Sequence, residues 1–200
     1  MSRKFNKERF EVVINIVYTF LRFSVVALYV LIALIGIAWV ATWFIPQSVF
    51  DFNLANLEQT HVNVLGLNYD LASLGLSGIV NVKSIVVLGI FALIANIGFY
   101  QYVQVLLKKT MKQIAEKQPF NEANVKYLQW MGIGYLAAGF VLPLVNSLFF
   151  TRVINMLELF ELGVSLSPNL QAVFMGIIIL IVAYIFDYGS YLQEEHDMTV

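Results

Sequence analysis

Long uncharged runs and short charged stretches alternate along this chain. The runs are Phe23–Ile45, Ser84–Leu107, Tyr127–Thr151 and Leu162–Phe186, and none contains Asp, Glu, Lys, Arg or His. Each is longer than the about 20 residues a helix needs to cross a hydrocarbon layer of about 30 Å. The pattern predicts an all-α membrane protein: a four-transmembrane-helix bundle with spans near 23–45, 84–107, 128–150 and 167–187. The lipid bilayer is then its first partner, and residues 1–200 form a single integral membrane domain.

The charged stretches refine the boundaries. Val12, Val13, Ile16, Val17 and Phe20 carry an apolar face upstream of the first run, so that helix begins early. Arg22 interrupts the face, and a long cationic side chain near a span end reaches back to the headgroups. Leu107, Met111, Ile114 and Ala115 extend the second helix toward Gln118, where Pro119 ends it. Asn121 is a good N-cap for the third helix, with Glu122 in its first turn and Phe120 and Val125 spaced as a hydrophobic staple. A tight turn at Gln118–Asn121 follows. In the other loops, 50–54, 61–64 and 162–166 alternate apolar and polar residues, the period of short β-strands, although the same residues also suit an interfacial helix.

Composition agrees with a membrane origin: 60% of residues are hydrophobic and 12% charged, about half the charge of a typical soluble chain. The basic residues set the orientation. Arg3, Lys4, Lys7, Arg9, Arg22, Lys108, Lys109, Lys112, Lys117 and Lys126 lie on one side, against Lys83 and Arg152 on the other. The positive-inside rule then puts both termini and the 108–127 loop in the cytoplasm, with 46–83 and 151–166 outside and a cytoplasmic tail at 188–200. The first run is far longer than a signal-peptide core and is expected to remain as a helix.

Candidate chemistry is sparse. The chain has no cysteine, which removes disulfides, thiol nucleophiles and thiolate metal sites. Glu194, Glu195, His196 and Asp197 are adjacent and do not share a helix face, and no catalytic motif assembles. We expect no enzyme, no cofactor, no metal and no direct contact with nucleic acid. Within the spans, Asn96 and Asn146 are the candidate intramembrane polar residues, and side-chain amides there usually join helices. A substrate or ion path is the alternative, though such paths generally carry intramembrane charge. Gly134-x-x-x-Ala138 and Ala38-x-x-x-Thr42 give close-packing faces that suit the bundle or a homodimer alike. Pro143 should loosen the third span. Gly89-Ile90-x-x-Leu93-Ile94 and Gly176-Ile177-x-x-Leu180-Ile181 hint at a repeat, at the level apolar helices reach by chance.

The tail is acidic and the 108–126 segment basic, which invites docking between them or competition for a partner. Exposed ion pairs contribute only about 0–1 kcal/mol, so charge alone favours two independently solvated surfaces. Two segments carry more information: Pro119-Phe120-Asn121-x-x-Asn124-x-x-x-Leu128, and Phe186-x-x-Gly189-x-x-Leu192-Gln193-x-Glu195-x-Asp197-x-Thr199-Val200. With them the chain resembles the bacterial membrane family catalogued as domain of unknown function 2975, four-span proteins with a Pro-Phe turn and an acidic C-terminal tail. The resemblance implies a membrane partner for a small cytoplasmic helix-turn-helix, DNA-binding regulator. It marks Pro119, Phe120, Asn121, Asn124, Gly189, Leu192, Gln193, Glu195 and Asp197 as candidate interaction residues. The expected function is non-enzymatic and regulatory, at the bacterial cytoplasmic membrane. The alternatives are immunity to a membrane-active peptide through the outer loops, and a small transporter or channel.

Overall fold

The computed structural model describes residues 2–53, 61–64, 67–70, 79–156, 164 and 166–198, with side chains described over 9–53, 79–156, 164 and 166–195. Its order is helix α1 (Ser2–Phe44), a 3-10 turn (Gln47–Phe50), strands β1 (Asp51–Asn53), β2 (His61–Val64), β3 (Leu67–Asp70) and β4 (Ile79–Asn81), then helices α2 (Lys83–Ala115), α3 (Glu122–Met156) and α4 (Leu170–Met198). All four helices are long and apolar enough to cross a membrane, which makes this a multi-pass membrane protein. As expected, α1 starts well before its uncharged run, and Arg22 lies exposed on its surface. α4 continues through the acidic segment, so residues 188–198 are a helical extension of the last span.

Of the strand expectations, β1 and β2 form. β1 pairs antiparallel with β4, and β2 with β3, giving two separate two-stranded ribbons. Residues 162, 163 and 165 of the third alternating segment lie outside the described residues, and Val164 and Leu166 are not in a strand. The β1–β4 ribbon is tied at its base: Asn81 Nδ2 donates to Gln47 O at 2.8 Å and Asp51 Oδ1 at 2.7 Å. Lys83 Nζ donates to Ile45 O at 2.8 Å. It thereby satisfies a carbonyl just past the end of α1, where the helix has no partner of its own to offer.

Extensive helix contacts run in chain order, α1 with α2, α2 with α3 and α3 with α4. The seams have different chemistry. Between α1 and α2, Gln101 Nε2 donates to Val25 O (3.1 Å), Ser24 Oγ to Gln104 Oε1 (2.7 Å) and Trp39 Nε1 to Val87 O (3.0 Å). Between α2 and α3, Asn96 Nδ2 donates to Asn146 Oδ1 at 3.0 Å and also to its own helix at Ala92 O, 2.7 Å away. Tyr102 Oη adds a bond to Trp130 O at 2.6 Å. Asn96, Gln101 and Gln104 each bond across to a neighbouring helix.

The α3–α4 seam relies on absent side chains. A Cβ at Gly176 would lie 2.9 Å from Gly132 O, and one at Gly132 2.7 Å from Leu180 Cγ. Gly134 instead faces Tyr102 of α2, so the small residues of α3 serve its two neighbours within the chain. Gly89 and Gly176 of the repeat-like pair both face α3, the former against Phe149.

Pro143 has a structural role here. Proline has no N–H to offer the carbonyl four residues earlier, which is that of Gly139. Asn169 N–H, at the start of α4, donates to Gly139 O at 2.8 Å. Asn169 Oδ1 in turn accepts from Ala172 N–H at 3.1 Å, a side-chain cap. The carbonyl freed by one helix thus seats the beginning of the next.

α2 ends in a Schellman arrangement: Gln118 N–H donates to Gln113 O (3.0 Å) and Lys117 N–H to Ile114 O (3.1 Å). Lys117 occupies the position usually given to glycine, with φ 62°. Lys117 Nζ lies 3.4 Å from Glu11 Oε1 of α1, an exposed pair worth about 0–1 kcal/mol. The left-handed backbone costs a residue with Cβ about 1–2 kcal/mol. Lys117→Gly should therefore raise unfolding stability by up to about 1 kcal/mol, while Lys117→Ala should not. Denaturant unfolding in micelles measures both, and a destabilised glycine variant would show that the Glu11 pair outweighs the strain.

Candidate interaction site at the terminal end of the bundle

The end carrying both termini gathers most of the candidate residues. Pro119 follows the Schellman turn, and Asn121 opens α3: its Oδ1 accepts from Ala123 N–H at 2.9 Å and its carbonyl from Asn124 N–H at 2.8 Å. These bonds satisfy donors that the first turn of a helix leaves without partners.

Asn124 is fully buried, at 0% exposure. Its Nδ2 donates to Pro119 O at 2.9 Å and reaches Gln118 O at 3.5 Å. Both partners are carbonyls, so the amide orientation is fixed: a flipped group would point oxygen at oxygen. Oδ1 has no hydrogen-bond partner among the described residues. Asn124 is therefore the pin of the turn, holding the chain that enters α3 against the helix itself.

Phe120 leaves the turn toward α4. Val125, the expected staple partner, is buried at 4% exposure, but the ring stacking of Phe120 is with Phe186, at 5.4 Å between centroids and 49° between planes. The edge of the Phe120 ring also covers Gly189, where a Cβ would lie 2.7 Å from Phe120 Cδ1. Glycine inside a helix costs about 1 kcal/mol relative to alanine, and here it makes room for the ring. Pro119, Phe120, Asn121, Asn124 and Gly189 are thus one cluster, assembled from two distant segments.

The other candidates lie apart from it. Leu192, Gln193 and Glu195 are exposed on α4 beyond Gly189, and Glu195 Oε1 accepts from Tyr191 Oη at 2.7 Å. Asp197 lies in the last turn of α4, outside the residues with described side chains. Asn96 and Asn146 face each other between α2 and α3, remote in sequence from this end.

Charge divides the end into two territories. On the α2–α3 side, Lys109 Nζ sits 5.3 Å from the Tyr127 ring centre. Lys112 pairs with Glu116 at 3.6 Å and Lys126 with Glu122 at 3.1 Å. On the α4 side, Tyr184, Asp187, Tyr188, Tyr191 and Glu194 recur at helical spacing and face Glu122 across a shallow groove. The tyrosines follow one another at spacings of four and three residues, a helical stripe visible in the sequence itself. The contact between basic loop and acidic extension is carried by Phe120, Phe186 and Gly189, an apolar junction between charged surroundings.

A family model described as protein of unknown function DUF2975 matches residues 58–200. No curated protein and no solved structure matches the chain. The match spans more than half of the chain, including the Phe120 turn and the Gly189 segment, and the chain belongs to the DUF2975 family.

Proposed function

We propose that the chain is a non-enzymatic regulatory protein of the bacterial cytoplasmic membrane, with both termini in the cytoplasm, that holds a small helix-turn-helix regulator at its terminal end. The observation carrying this reading is the packing of Phe120 on Gly189 and Phe186. It makes one surface from the two segments that first distinguished the sequence. The concentration of lysine and arginine at that end supports the cytoplasmic orientation. The mutual bond of Asn96 and Asn146 supports packing over a transport path.

The test is capture, by the full-length chain in micelles, of the small helix-turn-helix regulator that this proposal expects to be encoded beside the gene. Phe120→Ala, Gly189→Leu, and the double variant Glu195→Ala with Asp197→Ala should each lower capture by about tenfold, the effect of losing roughly 1.4 kcal/mol. Wild-type capture by all three variants would overturn the reading.

A further inference from the structure

The groove on the acidic side of this end has the chemistry of a receptor. It encloses about 390 Å³ and is lined by Glu122, Tyr184, Asp187, Tyr188, Ser190, Tyr191 and Glu194. Three carboxylates and three phenol rings line it, with no cation among them. Lys126 neutralises Glu122 from outside the lining, whereas Asp187 and Glu194 have no ion-pair or hydrogen-bond partner among the described residues. The α3 N-terminus contributes the equivalent of about half a positive charge, which leaves the groove net negative.

Ser190 supplies an independent observation. It is only 9% exposed, it lines the groove, and its hydroxyl has no partner among the described residues. Its oxygen keeps contact with the groove space rather than being sealed in the packing. A serine within a helix commonly bonds back to the preceding turn, and this one does not. Its oxygen is left for a donor arriving through the groove.

We propose that this groove receives the arginine or lysine side chains of a basic protein segment. A guanidinium offers donors in one plane: carboxylates of Asp187 and Glu194 accept at its rim, Ser190 Oγ accepts at its floor, and the tyrosine faces flank the cation. The proposal rests on the reading that this end engages a protein, and it adds the chemistry by which that protein is held. Tyrosines at a helix end also sit at headgroup level in many membrane proteins. Net negative charge and the Ser190 acceptor favour a cationic side chain, and the headgroup becomes an arm of the test.

The probe is a fluorescent octa-arginine peptide, titrated by anisotropy against the full-length chain in maltoside micelles. The double variant Asp187→Asn with Glu194→Gln should weaken binding by about tenfold or more, and Tyr188→Leu by roughly threefold to tenfold. Glu116→Gln removes an exposed acid on the basic side of the same end and should change binding by less than about twofold. An unchanged constant in the double variant overturns the proposal. So does an equal loss with Glu116→Gln, which would mean bulk charge alone. Displacement of the peptide from wild type by added phosphatidylethanolamine also overturns it, in favour of a lipid ammonium. No regulator is present in this assay, so its outcome is separate from the capture experiment above.

Discussion

Replacing Gly176 with valine will force α4 away from α3, with a loss of about 3 kcal/mol or more in unfolding stability. Inserting methyl groups into a packed seam usually costs about 1–3 kcal/mol. The upper end applies because the obstacle is backbone: Gly132 O lies 2.9 Å from where the new Cβ would be, and Leu136 Cγ is equally close. A carbonyl fixed in a helix cannot rotate out of the way as a side-chain tip can. Gly36→Val is the matched control, since nothing approaches within 4 Å of a Cβ there. Its effect should stay within about 0.5 kcal/mol, as at other surface positions. Both variants can be followed by denaturant unfolding in micelles. Equal stabilities would mean that α4 is not held through the glycine seam.

Converting Asn124 to aspartate, a change of almost no volume, will make stability depend on pH. The residue is fully buried and its donor end faces Pro119 O and Gln118 O. A neutral carboxyl can still donate one bond to Pro119 O. An ionised one would point charge at two carbonyl oxygens, with no hydrogen-bond donor to its other oxygen among the described residues, and the positive end of α3 offsets that only in part. Burial and these oxygens both disfavour the anion, so the native-state pKa must rise above the unfolded value of about 3.9. The sign follows from linkage: native and unfolded states bind protons equally below that value. As pH rises above it, the unfolded chain gives up its proton and the folded one keeps it. Stability then falls by about 1.4 kcal/mol per pH unit until the native pKa is reached. Asn124→Asp should approach wild-type stability near pH 4 and be much weaker at pH 7, while Asn124→Ala shows no such added slope. A flat difference between wild type and Asn124→Asp across that range would show that water reaches the turn.

Elements set by local physics were legible before the structure. The early start of α1 followed from Val12, Ile16 and Phe20 at helical spacing, and the α2–α3 turn from Pro119 and Asn121. The amides Asn96 and Asn146 were assigned to helix pairing because hydrocarbon leaves an amide few other partners. Choices that depend on which faces meet were not legible. Phe120 is equally well placed for a staple with Val125 and for α4; Gly189 decides it by leaving a hole of the right depth. Charge alone marks the acidic tail, yet α4 runs into it because one glycine, Gly189, is too small a penalty to stop a helix. The tyrosine stripe was visible in principle, but its groove exists only where Glu122 of α3 comes opposite. Pro143 alone predicts only a local weakness, because the residue that takes up its freed carbonyl, Asn169, stands at the start of another helix.

Because the helices are joined in a row, α1 is a detachable part. It meets the remainder along one seam, registered by Val25, Ser24 and Trp39 against Gln101, Gln104 and Val87. The family match begins at residue 58, beyond that helix. A chain cut between β1 and β2 would therefore yield two pieces able to reassemble in the bilayer, since Gln101 and Gln104 would otherwise face lipid with their amides unpaired. The molecule is in this sense a three-helix unit with a clip-on fourth, and the clip is addressed by hydrogen bonds.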